Sequence, residues 1–180
     1  MKRLLSLTFV MCVSALSACQ TLPMGKNASH EMMAEHVAVE VFLVRHAEKI
    51  LEVRDPDLTK EGQARAMLLA DMLSDANITH IHSSNYKRTR QTAAPLAKKL
   101  GLEVELYDPR DLPAMAQKIK TQSGRHLVVG HSNTTPQLTQ LLGGNGEGPI
   151  VEATEYDRLY YVTIAKTGET KSTLLRFGEP

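Results

Sequence analysis

The sequence has few of the features that mark disulfide-rich, nucleic-acid-binding or membrane-spanning proteins. Its 180 residues include two cysteines, no tryptophan, five tyrosines and three phenylalanines. Two cysteines cannot build a disulfide framework. The 21 basic and 20 acidic residues leave a formal net charge of +1, which is too balanced for a protein that holds nucleic acid mainly by neutralising phosphates. With 42% hydrophobic and 23% charged residues, the composition is that of one ordinary globular domain.

The N-terminus has the layout of an export signal. Lys2 and Arg3 precede an uncharged apolar stretch, residues 4–16, which is too short to span a bilayer as a helix of about 20 residues. The stretch ends in Leu16-Ser17-Ala18-Cys19, which resembles the bacterial lipobox, in which the cysteine is lipidated and becomes the new N-terminus. We therefore expect a signal peptide over residues 1–18 and a lipoprotein anchored through Cys19. An ordinary secreted signal and an uncleaved anchor are the alternatives.

The segment after the lipobox predicts a tether between lipid and domain. Residues 19–36 are polar and small, with no sustained apolar period; a short helix over residues 29–35 is the alternative. Gln20 is not the aspartate of an inner-membrane retention signal, so we expect the periplasmic face of the outer membrane. Cys12 would be lost with the signal and Cys19 would carry lipid. The domain, residues 37–180, then has no thiol, which excludes a cysteine nucleophile.

Strand and helix patterns alternate along the domain. Apolar, β-branched runs predict strands over residues 37–44, 78–82, 102–107 and 126–129, and apolar periodicity predicts helices over 60–74, 85–100, 114–120 and 136–142. Residues 156–165 and 171–177 flank a Lys-Thr-Gly-Glu turn and predict an antiparallel hairpin. The predicted fold class is α/β: a three-layer helix/sheet/helix sandwich with a mostly parallel sheet and an antiparallel edge hairpin.

Charged and nucleophilic side chains follow the predicted strands. Arg45 and His46 end the first strand, Ser84 and Arg88 follow the second, and His131 follows the strand that begins near residue 126. Ligands of open α/β sheets bind at the carboxyl ends of the strands, so these side chains are expected to share one edge.

Two arginines and two histidines at one edge suit a phosphate dianion. Guanidinium groups pair with phosphate oxygens through bidentate hydrogen bonds, and a helix N-terminus adds backbone NH groups. A neutral histidine can also accept a phosphoryl group as a nucleophile, and a second histidine can stabilise the transferring oxygens. The set therefore predicts phosphoryl-transfer chemistry.

Four motifs in order carry a resemblance to a known family. Arg45-His46-Ala47-Glu48 resembles the Arg-His-Gly signature of the histidine phosphatase superfamily, the phosphoglycerate mutase-like proteins. Residues 84–93, SNYKRTRQTA, are similar to its Ser-Pro-Leu-x-Arg-Ala-x-Gln-Thr-Ala segment. Residues 130–132, GHS, resemble its second-histidine motif, and residues 58–62, LTKEG, its Leu-Thr-x-x-Gly. Ala47 in place of glycine and Asn85 in place of proline depart from the pattern without removing a functional group.

The resemblance implies a metal-independent phosphoric monoester hydrolase of the histidine acid phosphatase type. His46 would be the phosphorylated nucleophile, Arg45, Arg88 and Ser84 would hold the phosphate, and His131 would complete the pocket. No cofactor and no metal are implied. The short connection between residue 93 and His131 predicts an open pocket without a large cap. The substrate would be a phosphomonoester or phosphohistidine, on a small molecule or a phosphoprotein.

The general acid is the open question. A poor leaving group needs a proton donor, and relatives carry an acid between the second motif and the second histidine or directly after that histidine, where this chain has Ser132. Asp108 and Asp111 lie in the first region, and Glu48 and Glu155 are possible by proximity. A phosphoramidate such as phosphohistidine would need no carboxyl acid.

Three further alternatives stay open. His80 and His82 point to one face of their strand and suggest a metal, but they lack a third ligand at a recognisable spacing. A phosphomutase is disfavoured because the chain looks short for a closed bisphosphate site. A non-catalytic envelope lipoprotein could use the same pocket to bind a phosphorylated ligand. Nucleic acid is not expected as a partner, and the oligomeric state is not predicted.

Overall fold

The computed structural model describes residues 37–51 and 54–179. The predicted signal peptide, the tether and the lipidation site Cys19 lie outside these ranges, so they stay predictions. Within the described ranges, no helix combines the length and the apolar character needed to cross a membrane.

Strands and helices alternate along the described chain, as the apolar patterns predict. In chain order they are β1 (Val37–Arg45), α1 (Lys60–Leu73), β2 (His80–Ser84), α2 (Lys87–Leu100), β3 (Val104–Tyr107), α3 (Leu112–Thr121), β4 (Gly124–Gly130), α4 (Thr134–Leu141), β5 (Arg158–Ala165) and β6 (Thr170–Arg176).

The strands form one mixed sheet in the order β3-β2-β4-β1-β5-β6. The pairs β3-β2, β2-β4 and β4-β1 are parallel. Strand β5 runs antiparallel to both β1 and β6. The predicted α/β sandwich with a mostly parallel sheet and an antiparallel edge hairpin is therefore confirmed.

Each face of the sheet is covered by two helices, because β1 and β4 carry apolar side chains on both faces. One core joins α3 and α4 to the strands through Met115, Ile119 and Leu138, which pack with Val41 and Leu43. The other core joins α1 and α2 to the opposite face; its members include Leu69, Leu73, Ala93, Leu96, Val44, Ile81, Leu127 and Val129. These two layers hold β1 and β4 rigidly at the centre of the sheet.

Local hydrogen bonds account for several element boundaries. The hydroxyl of Thr59 accepts a hydrogen bond from the backbone NH of Gly62 at 3.1 Å, which caps α1. Helix α2 begins at Lys87, two residues later than predicted, because Tyr86 is extended and the Lys87 NH donates to Asp55 at 3.0 Å. Strand β2 is shifted in the same direction and ends at Ser84 rather than residue 82.

Candidate active site

Parallel pairing of β1 and β4 brings the two predicted histidines together. Arg45 lies opposite Gly130 in the ladder, and the backbone NH of His46 donates to the Gly130 carbonyl at 3.0 Å. His131 is the next residue of the chain, so its ring lies 5.6 Å from the ring of His46, centroid to centroid. Adjacent strand ends therefore place His46 and His131 at one edge of the sheet.

His46 is buried and oriented by its own backbone. The side chain is 1% exposed, and Nδ1 lies 2.8 Å from the Ala47 carbonyl. A carbonyl only accepts hydrogen bonds, so Nδ1 carries the proton and Nε2 keeps its lone pair. Burial, with the positive charges of Arg45 and Arg88, lowers the pKa of His46 to about 3. The imidazole is therefore neutral near pH 7, as a nucleophile must be.

His131 is held between two polar neighbours. Its Nε2 lies 2.9 Å from the hydroxyl of Ser84, and its Nδ1 lies 3.3 Å from Nη2 of Arg88. Ser84 in turn donates to Thr89 at 3.0 Å. Burial and the charge of Arg88 lower the pKa of His131 to about 4. Ser84, a predicted phosphate ligand, is fully buried, and its hydroxyl holds the His131 ring through this hydrogen bond.

Arg45 is engaged by the loop before β5. Its Nη atoms donate to the backbone carbonyls of Val151, Glu152 and Glu155, the closest at 2.7 Å. Its guanidinium also lies 4.0 Å from the ring centre of Tyr156 and 3.0 Å from the Glu152 carboxylate. Burial lowers the pKa of Arg45. Arg45 thus lies beside His46 but behind the loop, whereas Arg88 faces the cavity.

The loop that contacts Arg45 is fastened by a second buried arginine. Arg158 donates to the carbonyls of Glu147, Gly148 and Pro149 at 3.0–3.1 Å. It also pairs with Glu155, Nε to Oε1 at 2.6 Å. Arg158 therefore fixes the path of the backbone that surrounds Arg45.

A cavity of about 490 Å³ lies at this edge of the sheet. Its lining includes His46, Arg88 and His131. Tyr86, Pro109, Arg110, Ser132, Asn133, Thr134 and Glu152 complete it. A cavity with two histidines and two arginines suits an anionic ligand.

Two buried guanidinium nitrogens support this interpretation. The Nε atoms of Arg45 and Arg88 are inaccessible to solvent and have no hydrogen-bond partner among the residues that the structure describes. An unsatisfied buried donor costs free energy. Of the two arginines, Arg88 lines the cavity, so its guanidinium is the one that a phosphate group beside His46 would contact directly.

None of the four predicted general acids lines the cavity. Glu48 pairs with Arg65 at 2.7 Å, and Glu155 pairs with Arg158. Asp108 pairs with Arg110 at 2.8 Å, and Asp111 accepts from the Ala114 NH at 3.1 Å as the cap of α3.

The carboxylate that does line the cavity is Glu152, which the sequence reasoning missed. It accepts a hydrogen bond from the hydroxyl of Ser132 and lies 3.7 Å from Nζ of Lys49. Although burial acts in the opposite direction, the Ser132 hydrogen bond and the charges of Arg45 and Lys49 lower the pKa of Glu152. The available signal was weak: Glu152 follows a glycine-rich connector and no motif surrounds it.

The two departures from the family pattern are accommodated. The methyl group of Ala47 is buried in a small apolar cluster with Leu58 and Ala66, and its NH donates to Thr92 at 3.0 Å. Asn85 accepts from Arg90 at 3.1 Å just before α2. Neither residue displaces Arg88 or His46.

His80 and His82, the metal alternative, form a ring stack with His126. The rings of His80 and His126 lie 4.7 Å apart, and Nε2 of His82 lies 3.0 Å from Nδ1 of His126. Within residues 37–51 and 54–179, no group of three or more histidine, cysteine or acidic side chains has a geometry that could hold a metal ion.

Comparison with known proteins identifies related sequences. The model of the histidine phosphatase superfamily (branch 1) matches residues 41–109. A probable phosphoglycerate mutase GpmB of Escherichia fergusonii is 39% identical over 119 residues, 62% of this chain and 54% of that protein. The corresponding protein of Escherichia coli is 30% identical over 128 residues, 67% of this chain and 58% of that protein. The chain thus spans somewhat over half the length of these curated relatives.

Solved structures share the fold. The protein histidine phosphatase SixA, complexed with tungstate, matches with a TM-score of 0.61 at 22% identity, and the match covers 76% of this chain and 96% of the SixA chain. A mycobacterial glucosyl-3-phosphoglycerate phosphatase has a TM-score of 0.60 at 14% identity, with 78% and 99% covered. Over residues 41–109 the chain is therefore similar to the histidine phosphatase superfamily (branch 1), and the two solved structures show that its fold is the one these phosphatases have.

Proposed function

We propose that this protein is a phosphatase that hydrolyses a phosphomonoester or phosphohistidine, without a metal, through a covalent phosphohistidine on His46. The observation that carries the proposal is the state of His46: a buried neutral imidazole with Nε2 free, beside two arginines whose Nε atoms are buried and lack partners in the described chain. Nucleophile and anion-binding donors are therefore adjacent.

The reaction has two displacements. The lone pair of His46 Nε2 attacks phosphorus, and the bond to the leaving group breaks with its electron pair. Water then attacks phosphorus, the P–N bond breaks, and inorganic phosphate leaves while Nε2 regains its lone pair. Arg88, which faces the cavity, would stabilise the oxygens during both steps, and His131, whose ring nitrogens contact Ser84 and Arg88, would hold the Arg88 guanidinium in place.

The fold neighbours support this chemistry. One is a protein histidine phosphatase complexed with tungstate and another a glucosyl-3-phosphoglycerate phosphatase. An exposed rim with Tyr86 and Arg110 at an open cavity suits either a small phosphorylated molecule or a phosphorylated side chain of a protein.

The test uses the full chain and 4-nitrophenyl phosphate in the presence of EDTA. We expect turnover by the wild type, loss of at least about 1,000-fold in His46→Asn, and an acid-labile phosphorylated protein in quenched reactions. His80→Asn, which replaces a histidine remote from the cavity, is the matched control and should keep the activity. Undiminished turnover in His46→Asn would refute the nucleophile.

Two other functions have separate outcomes. The curated relatives named probable phosphoglycerate mutases favour a mutase, for which 3-phosphoglycerate would be isomerised without release of phosphate. Binding of phosphate or vanadate without turnover of any tested phosphoester would instead indicate a non-catalytic binding protein.

The location is proposed separately from the activity. Residues 1–18 would direct export, and lipid on Cys19 would hold the protein at the periplasmic face of the outer membrane by the tether, residues 19–36. Intact mass of the protein from membranes should show cleavage before Cys19 and added acyl chains, and Cys19→Ser should lose both. A soluble, unmodified wild-type protein would contradict this location.

A further inference from the structure

We propose that Glu152 is the proton donor to the leaving group in the reaction proposed above. This assignment rests on that proposed function. It starts from position: Glu152 is a carboxylate that lines the same cavity as His46, Arg88 and His131, whereas Glu48, Glu155, Asp108 and Asp111 are engaged elsewhere.

In-line displacement decides which side of the cavity a proton donor must occupy. The attacking nitrogen and the leaving atom lie on opposite sides of phosphorus. His46 forms the floor at 1% exposure, so a phosphoryl group on its Nε2 side directs the leaving group toward the mouth. Glu152 lines the same cavity with a side chain that is 58% exposed, so its carboxylate lies nearer the mouth than the buried ring of His46 does. Glu152 and His46 are thus placed as acid and nucleophile.

Three contacts hold the carboxylate at the edge of the cavity, although its side chain stays largely exposed. One oxygen accepts from the hydroxyl of Ser132, the residue after His131, and lies 3.0 Å from Nη2 of Arg45. The other oxygen lies 3.7 Å from Nζ of Lys49. The backbone is held as well, because the Glu152 carbonyl accepts from Arg45 at 2.7 Å. Such fixation keeps the carboxyl within reach of a bound ester.

The charge balance of the cavity changes when substrate binds. Without a ligand, the hydrogen bond from Ser132 and the cations Arg45 and Lys49 keep the pKa of Glu152 low, against the effect of burial. A phosphoryl dianion between Arg88 and His46 places two negative charges close to this carboxylate. Like charges in one site favour protonation of one partner, so binding of the substrate would itself favour the protonated form of Glu152.

One proton transfer by Glu152 accompanies each of the two displacements. In the first, the O–H bond of Glu152 breaks and its proton moves to the leaving oxygen as the P–O bond breaks, so a neutral alcohol departs. In the second, the Glu152 carboxylate takes a proton from the attacking water as the P–N bond to His46 breaks. The net reaction is phosphomonoester plus water to alcohol plus phosphate, and Glu152 is protonated again.

A proton donor matters in proportion to how poorly the leaving group carries negative charge. The test compares phenyl phosphate with 4-nitrophenyl phosphate, which are similar in size, because 4-nitrophenolate leaves readily without a proton and phenolate does not. In Glu152→Gln we expect kcat/KM, which reports the steps through departure of the leaving group and not the later attack of water, to fall on the order of 100-fold for phenyl phosphate and by less than about 3-fold for 4-nitrophenyl phosphate. The remaining activity on 4-nitrophenyl phosphate also reports that the variant is folded.

Glu147→Gln is the matched control. Glu147 belongs to the same loop, and its carboxylate accepts from Asn145 at 2.9 Å without lining the cavity; both substrates should be hydrolysed at wild-type rates. Equal losses of kcat/KM on both substrates in Glu152→Gln, or no loss of kcat/KM on phenyl phosphate, would overturn the acid role and leave the phosphatase intact. If the wild type hydrolyses neither ester, the proposed phosphomonoester hydrolysis fails and the acid role fails with it.

Discussion

Acidification is expected to destabilise this protein through a histidine pair in the sheet. His82 on β2 and His126 on β4 are both fully buried. The Nε2 of His126 lies 2.9 Å from the Gln122 carbonyl, so it carries a proton, and its Nδ1 accepts from His82 Nε2 at 3.0 Å. Burial, assisted by the charge of Lys118, lowers the pKa of His82 to about 3 and that of His126 to about 4. Both imidazoles are therefore neutral in the folded protein at pH 5.

The magnitude follows from proton linkage. A histidine in the unfolded chain has a pKa of about 6.5, so the unfolded state takes up protons below that pH while the folded state does not. At pH 5 this uptake favours the unfolded state by about 2 kcal/mol per histidine. The loss begins as the pH falls through about 6.5 and ends near the folded pKa values. The pair therefore costs about 4 kcal/mol at pH 5, a large share of a usual stability of 5–15 kcal/mol.

The measurement is urea unfolding at pH 7.5 and pH 5.0. The wild type should lose at least the increment of the histidine pair between the two pH values, because His46 and His131, whose pKa values are also lowered by burial, add to it, and His126→Gln should lose about 2 kcal/mol less than the wild type, whatever its absolute stability. His80→Gln removes a partly exposed imidazole of the same ring stack and serves as the control. Its loss of stability between the two pH values should equal that of the wild type within about 0.5 kcal/mol. If His126→Gln loses as much stability on acidification as the wild type, the argument from burial is wrong.

Further predictions concern the nucleophile, two glycines and the loop that surrounds Arg45. In NMR titrations of the full chain, the His46 ring, assigned with His46→Gln, should stay neutral down to pH 5, since burial lowers its pKa to about 3; a midpoint near 6.5 would contradict this. Gly62→Ala should lower the free energy of unfolding in urea by about 3 kcal/mol, because an added Cβ would lie 2.2 Å from a backbone oxygen. Gly101→Ala, where the added Cβ meets open space at φ +67°, should lower it by only about 1 kcal/mol. Equal losses in the two variants would refute the steric reason. Arg158→Met should lose about 1–3 kcal/mol because three backbone carbonyls of the loop lose their donor and Glu155 keeps only Arg176 as an ion-pair partner among the described residues, and Arg158→Lys should recover part of that loss in the same assay.

Much of the fold is predictable because its signals are local. The β-branched run before Arg45 and the helical periodicity after Thr59 each depend on neighbouring residues, and the structure confirms both elements. The boundaries that moved involve contacts distant in sequence: α2 begins at Lys87, whose NH binds the carboxylate of Asp55.

The central part of the site is predictable for a related reason. Once β1, β2 and β4 are recognised as strands of a parallel sheet, their carboxyl ends must meet at one edge. His46, Arg88 and His131 follow those strands directly, so their meeting is a consequence of the strand assignment. The structure places all three at one cavity.

The sequence by itself thus determined the alternation of elements, the sheet edge and the identity of the histidines and the arginine that line it, because strand and helix patterns act over a few residues. Tertiary structure alone decided that Arg45 turns toward the loop before β5 and that Glu152 is the carboxylate at the cavity. The reason is physical: the position of Glu152 depends on how a glycine-rich connector crosses the surface. That path is set by hydrogen bonds from Arg158 and Arg45 to backbone carbonyls, which leave no pattern in the side chains of the loop.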